Sequence, residues 1–278
     1  MKKIILASDI HYRCNDYYGR DMEEIAETLA SDLNSEYQKA PYDALLLLGD
    51  YSLDHWAWEG GGSFLNQGIS NAKIFAEKYL PRLAPSGVEV RMIAGNHEQF
   101  GEENWQRLTG HSRNSHVAID GILFILTDTF GGDLDPTVHS DGTYTGARVD
   151  DIKALMERYP DKKVILCSHW FDVERESEEF LNLLRTEERI ICLFCGHNHK
   201  SSVSSTGKEN GDKPILYTGN YSYSGEKNSV ACLPGYRTLI IDGDTVTSSY
   251  VVHSHRYRIG KVYFTNEYTE QDTVTLKI

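Results

Sequence analysis

A chain of 278 residues, 40% apolar and 25% charged, has the composition of an ordinary globular protein and can bury one large core or two small ones. Its formal charge of −13 argues against unspecific binding to nucleic acid or anionic membrane, although bound cations can reverse the local field for an anionic substrate. The apolar run at the N-terminus stops at Ala7, too short for a secretion signal, no stretch reaches the roughly 18 apolar residues of a membrane span, and five scattered cysteines form no disulfide framework. These features lead us to expect one domain over residues 1–278, with 253–278 a C-terminal β extension, in a reducing, cytoplasmic setting.

In chain order, KKIILAS predicts a buried strand. Residues 20–38 carry Met22, Ile25, Leu29 and Leu33 at helical spacing and predict a helix. DALLLLGD is a second buried strand, residues 64–80 a second helix, and EVRMIAGN a third strand. HVAIDGILFILTDTF predicts a hairpin turning at Asp120-Gly121. RVDDIKALMERY is a helix that feeds the strand KVILCS, and RIICLFCG is a further strand. From Pro214 onward short strands dominate, with a turn at Asp242-Gly243. Alternating helices and buried strands followed by antiparallel strands predict an α/β fold with mixed sheets.

Each buried strand of the first part ends in groups that bind metal. The first ends in Asp9-x-His11, the second in Gly49-Asp50 and the third in Gly95-Asn96-His97-Glu98. KVILCS leads to His169, and IICLFCGHNH ends in His197-x-His199. Ligands bind at the carboxyl ends of strands in open α/β sheets. Taken singly, Asp9 reads as a cap, Asp50 as a turn residue and His169 as a core histidine. Taken together, five strands delivering carboxylate, amide and imidazole to one edge point to a site.

CLFCGHNH also raises a rival, a Cys/His zinc site. Cys192 and Cys195 are three apart in an apolar strand and should face opposite layers. Apolar burial disfavours their thiolates, and no second Cys-x-x-Cys completes a zinc site. The cysteines read as core and the histidines as ligands. His253-x-His255 follows a hairpin beside Arg256 and Arg258 and has no carboxylate partner, so it reads as a solvated strand face.

The five segments, in this order and strand context, resemble the calcineurin-like metallophosphoesterase superfamily from Met1 to about residue 252. The resemblance implies a four-layer α/β/β/α sandwich with two mixed sheets. It further implies two divalent transition-metal ions, one held by Asp9, His11, Asp50 and His199, the other by Asp50, Asn96, His169 and His197, with Asp50 as the bridge. Mixed imidazole and oxygen ligands suit Mn, Fe, Zn or Co. A metal-bridging hydroxide attacking phosphorus, with His97 as general acid, is the implied chemistry. In related phosphatases an Asp three residues after the Gly-Asp aspartate orients that histidine; here Leu53 stands there, which leaves Asp54 and Glu98 as candidates.

The segment YSLDHWAWEGGGSF brings His55, Trp56 and Trp58 toward the same edge as candidate substrate contacts, Arg13 is a candidate for phosphate, and DGTYTG is another loop that can reach the site. The expected protein is a phosphoric ester hydrolase acting on a small phosphorylated substrate, with no nucleic-acid or membrane partner. A cyclic-nucleotide phosphodiesterase is the first alternative. A nuclease fits the net charge poorly, and a non-catalytic scaffold fits poorly with a complete ligand set.

Overall fold

A strand covered on both faces has no use for polar alternation. Lys2–Ala7 forms such a strand, β1, which sends Ile4 and Leu6 into one apolar layer and Ile5 and Ala7 into another. In the computed structural model, which describes residues 1–14, 21–53, 71–98, 101–131, 142–222, 234–252, 256–259, 262–265 and 273–278, this strand is central to the first of two sheets. Strands β2 (Ala44–Leu48) and β3 (Glu89–Ile93) continue from it in parallel.

The second sheet is built from β4 (Ser115–Ile119), β5 (Ile122–Leu126), β6 (Lys163–Cys167), β7 (Ile190–Cys195), β8 (Val203–Ser205) and β9 (Pro214–Tyr217). Its order is β4-β5-β6-β7-β9-β8, with β5, β6, β7 and β9 parallel and the two edge strands antiparallel. The predicted turn joins β4 to β5, and Asp120 (φ 46°) and Gly121 (φ 87°) both take the left-handed conformation that a primed hairpin turn demands. The chain then returns to the first sheet. β10 (Gly235–Asp242) pairs antiparallel to β1, β11 (Thr245–Val252) pairs with β10, and β14 (Thr273–Lys277) closes that edge. Between them β12 (Arg256–Ile259) and β13 (Val262–Thr265) form a two-stranded ribbon.

The two sheets pack face to face through Leu46, Leu48 and Ile93 of the first and Phe124, Ile165 and Phe194 of the second. The outer face of the first sheet is covered by α1 (Met22–Lys39), by a segment running through α2 (Asn71–Ile74), a π-helical stretch (Phe75–Tyr79) and α3 (Leu80–Leu83), and by α4 (Glu102–Thr109). The outer face of the second is covered by α5 (Val149–Arg158) and α6 (Glu178–Thr186). The fold is therefore the α/β/β/α sandwich with two mixed sheets that the resemblance implied. Helix α1 starts where its sequence says: Asp21 caps it by accepting from the N–H groups of Glu23 and Glu24, and Met22, Ile25, Leu29 and Leu33 form its buried stripe.

Two helices, α4 and α6, and the π register were not predicted from sequence. Of the helix expected over 64–80, the described part begins at Asn71, and it continues past the expected end to Leu83. Pro81 has no N–H to donate to the preceding turn, and the π stretch lies immediately before its segment. The cysteines part as expected, Cys192 into the layer between the sheets and Cys195 into the layer under α5 and α6. Burial pushes both thiols far above their ordinary range. Among the described residues no helix is long and apolar enough to cross a membrane.

Candidate metal centre

The parallel strands β1, β2 and β3 of one sheet and β6 and β7 of the other end on the same side of the sandwich, and the predicted ligands follow those ends. Asp9 and His11 come after β1, Asp50 after β2, Asn96 after β3, His169 after β6, and His197 and His199 after β7. Asp9, His11, Asp50, Asn96 and His169 are buried. Five of these residues, Asp9, His11, Asp50, His197 and His199, have φ between 51° and 71°. Non-glycine residues avoid that region, and it persists where the surroundings hold it, which is characteristic of functional sites.

Their side chains converge in two adjacent groups. In one, Asp9, His11 and His199 bring ligand atoms together, with Nε2 of His199 3.2 Å from Asp9 Oδ1 and Nε2 of His11 3.4 Å from Asp50 Oδ2. In the other, Asp50, His169 and His197 meet. His169 Nε2 is 3.1 Å from Asp50 Oδ2 and 3.0 Å from Asn96 Oδ1, and His197 Nδ1 is 2.9 Å from the same amide oxygen. Asp50 thus faces both groups.

The surrounding structure aims these atoms. Nδ1 of His169 lies 2.7 Å from the Leu48 carbonyl, which can only accept, so Nδ1 carries a proton and Nε2 is the nitrogen turned to the site. Glu98 is fully buried, and its carboxylate accepts from the backbone N–H groups of Asp50 (2.8 Å), Gly95 (2.8 Å) and Ser52 (2.9 Å). It therefore ties the ends of β2 and β3 together rather than reaching for His97. A Cβ at Gly95 would stand 2.1 Å from Asp50 Oδ1, so only glycine lets the two turns approach.

The charges of the cluster act strongly on one another. Burial works against ionised Asp9, but His199 and His169 hold its carboxyl below the usual range. Burial opposes ionised Asp50 too, yet His169 and His97 hold it well below. His169 is pushed up to about 10, because Asp50 outweighs the cost of burial, whereas burial and the charge of His169 bring His197 down to about 4. Glu98 rises to about 8 through burial and the nearby Asp50. Asp9 Oδ1 is buried, and its nearest described polar neighbour is His199 Nε2 at 3.2 Å, itself a candidate ligand nitrogen. Buried carboxylate oxygens, an amide oxygen and imidazole nitrogens converging in one spot fit divalent transition ions.

His97 occupies a different position. Its backbone N–H donates to Asp50 Oδ1 at 3.0 Å, while its ring nitrogen Nε2 is 3.6 Å from Asp50 Oδ2 and its side chain is 13% exposed. It can also group with His11 and Asp50, so position alone allows it to ligate. Leu53, where related phosphatases carry an aspartate, is core. Asp54, His55, Trp56 and Trp58 lie outside the described residues. Arg13, partly exposed, follows the bridge between Tyr12 and Ser52.

Sequence reasoning missed the residues that brace the ligands. Trp170 stacks on His197, with ring centroids 4.4 Å apart and planes at 23°, and Phe130 contacts the rings of both His169 and His197. Ser222 Oγ lies 2.9 Å from His11 Nδ1, and Ser8 donates to Asp9 Oδ2. Trp170 was signalled by its place directly after His169; nothing in the sequence marks Ser222.

The chain matches the model of the calcineurin-like phosphoesterase family over residues 2–201. No curated protein matches it. Among solved structures it is similar to a dimetal phosphatase from Danio rerio, at 12% identity and a TM-score of 0.67, covering 99% of this chain and 98% of that one. It is also similar to a purple acid phosphatase from yellow lupin (Lupinus luteus) seeds, at 10% identity and a TM-score of 0.59, covering 99% of this chain but 53% of that one. At such identities the structures speak for the fold alone; by the match over residues 2–201, the chain belongs to the calcineurin-like phosphoesterases.

Proposed function

We propose that this protein hydrolyses a small phosphate ester at a centre of two divalent transition ions. Asp9, His11, Asp50 and His199 hold one ion, and Asp50, Asn96, His169 and His197 hold the other. The observation that carries the reading is a pair of ligand groups, Asp9 with His11 and His199 and Asp50 with His169 and His197, that meet where Asp50 Oδ2 comes within 3.4 Å of His11 Nε2. When bound, two such ions supply Lewis acidity toward the phosphoryl oxygens and make water nucleophilic near neutral pH.

The chain's own residues do the rest. Glu98, by gripping the backbone at Asp50, Ser52 and Gly95, holds the turns that present Asp50 and Asn96. The aromatic wall of Phe130 and Trp170 keeps water from one side of His197 and His169. His97, the more accessible neighbour of Asp50, delivers a proton from its ring to the departing ester oxygen. Arg13 contacts the phosphate. The substrate is a small phosphorylated molecule rather than nucleic acid or membrane lipid, in keeping with a net charge of −13.

The test is a panel of monoesters, diesters, cyclic nucleotides and nucleotide-sugar pyrophosphates offered to protein reconstituted with Mn²⁺, Zn²⁺, Fe²⁺ or Co²⁺. Turnover of one class, abolished by a chelator, supports the reading. Binding of two ions without turnover of any class would leave a metal-binding scaffold in its place.

A further inference from the structure

After β9 the chain does not go straight to β10; residues 218–222 first run through the metal centre, beyond the stretch matched by the family. The hydroxyl of Thr218 lies 2.6 Å from Ser8 Oγ, and that serine in turn donates to Asp9. Asn220 Nδ2 donates to the carbonyl of His199 at 2.8 Å. The Tyr221 N–H donates to the carbonyl of Asp9 at 3.2 Å. The Ser222 hydroxyl meets His11 Nδ1 at 2.9 Å. Thr218, Asn220, Tyr221 and Ser222 are all buried. Gly219 (φ 80°) makes the path possible, since a Cβ there would stand 2.5 Å from the Tyr250 hydroxyl.

These contacts go to Asp9, His11 and His199. They are the ligands of one ion, and each has a left-handed backbone that its neighbours must hold in place. The segment is itself held at Cys195, whose carbonyl accepts from Thr218 at the root of the turn carrying His197 and His199, and at Gly235 of β10, whose N–H donates to the Asn220 carbonyl. We infer that residues 218–222 are a positioning segment for the first ion, with Ser222 fixing the ring of His11. A hydroxyl accepting from Nδ1–H puts the imidazole in the tautomer whose Nε2 lone pair faces the site and makes that nitrogen a better donor.

This inference rests on the two-ion reading, and the experiment separates the two. Mn²⁺ binding is measured by equilibrium dialysis in two backgrounds, His169→Ala, which keeps the first ligand set, and His11→Ala, which keeps the second. Adding Ser222→Ala should lower Mn²⁺ affinity about 10- to 100-fold in the first background. In the second it should change affinity by less than about twofold, since Ser222 has no imidazole left to orient. Ser222→Thr, which keeps the hydroxyl, should restore the affinity lost in the first background. Should Ser222→Ala fail to fold, Ser222→Cys, near in shape but a weak acceptor, is read in the same way. Unchanged affinity in the first background, or equal losses in both, overturns the inference. Fewer than two ions on the parent protein overturns the two-ion reading itself.

Discussion

On one side of Asp50 the imidazole of His11 meets a hydroxyl, from Ser222, and the carbonyl of His199 meets an amide, from Asn220. On the other side His197 lies flat against the indole of Trp170, and the ring of Phe130 reaches both His197 and His169. The brace on His11 is polar and directional; it fixes where the ring nitrogens point. On the opposite side His169 also has a polar partner, the Leu48 carbonyl, but His197 is held by flat apolar rings that restrict how it can tilt and replace water with carbon. In the proposed centre, His11 and His197 are thus held by different forces, and the two ligand sets should respond differently when these braces are removed. Asp50, facing both, is where the difference vanishes.

Removing the shared residue should produce the largest effect. Asp50→Ala is expected to lose both ions and all measurable turnover, while His11→Ala loses mainly one ion; elemental analysis of the two purified variants reads the contrast, and a Asp50→Ala protein that kept a full metal load would break it. Next comes His97, which stands outside both ligand sets in our assignment. His97→Asn should keep both ions and slow an alkyl phosphate by something like 10²–10⁴-fold. A nitrophenyl phosphate, whose leaving group departs nearly unaided, should suffer much less. Equal slowing of both esters removes His97 from the acid role, and lost metal makes it a ligand.

Trp170→Ala tests the aromatic brace. Loss of one ring stack should weaken the second ion by roughly three- to tenfold and leave the first unchanged, read as Mn²⁺ affinity in the His11→Ala and His169→Ala backgrounds. A loss on the first site would sink the idea of separate braces. The smallest effect on metal is expected from the cysteines. Cys192→Ala with Cys195→Ala should cost on the order of 1–2 kcal/mol in stability, seen by urea unfolding, through small cavities in two different layers. Its metal content should match the parent.

How much of this was legible beforehand differs between strands and their surroundings. β1, β2, β6 and β7 announce themselves as unbroken apolar runs because both of their faces are covered, and the ligands after them stand out as polar groups at the ends of such runs. The split of Cys192 from Cys195 followed from the two-residue period alone. Helix α6 did carry a signal, Ser177 accepting from the Phe180 N–H, but an eight- or nine-residue helix between chemistry-bearing segments is easily read over. Glu98 looked like a partner for His97 because it is adjacent in sequence; its work on three backbone N–H groups becomes visible only when β2 and β3 lie side by side. Ser222 was beyond reach for the same reason, being 211 residues from His11.

The central claim is that one carboxylate serves two ions. Anomalous X-ray diffraction from crystals grown with Mn²⁺ tests it most directly. The account predicts two anomalous peaks per chain, roughly 3.5–4 Å apart, one contacting Asp9, His11 and His199, the other Asn96, His169 and His197, with Asp50 between them. A single peak, or a peak at Cys192 or Cys195, would contradict it.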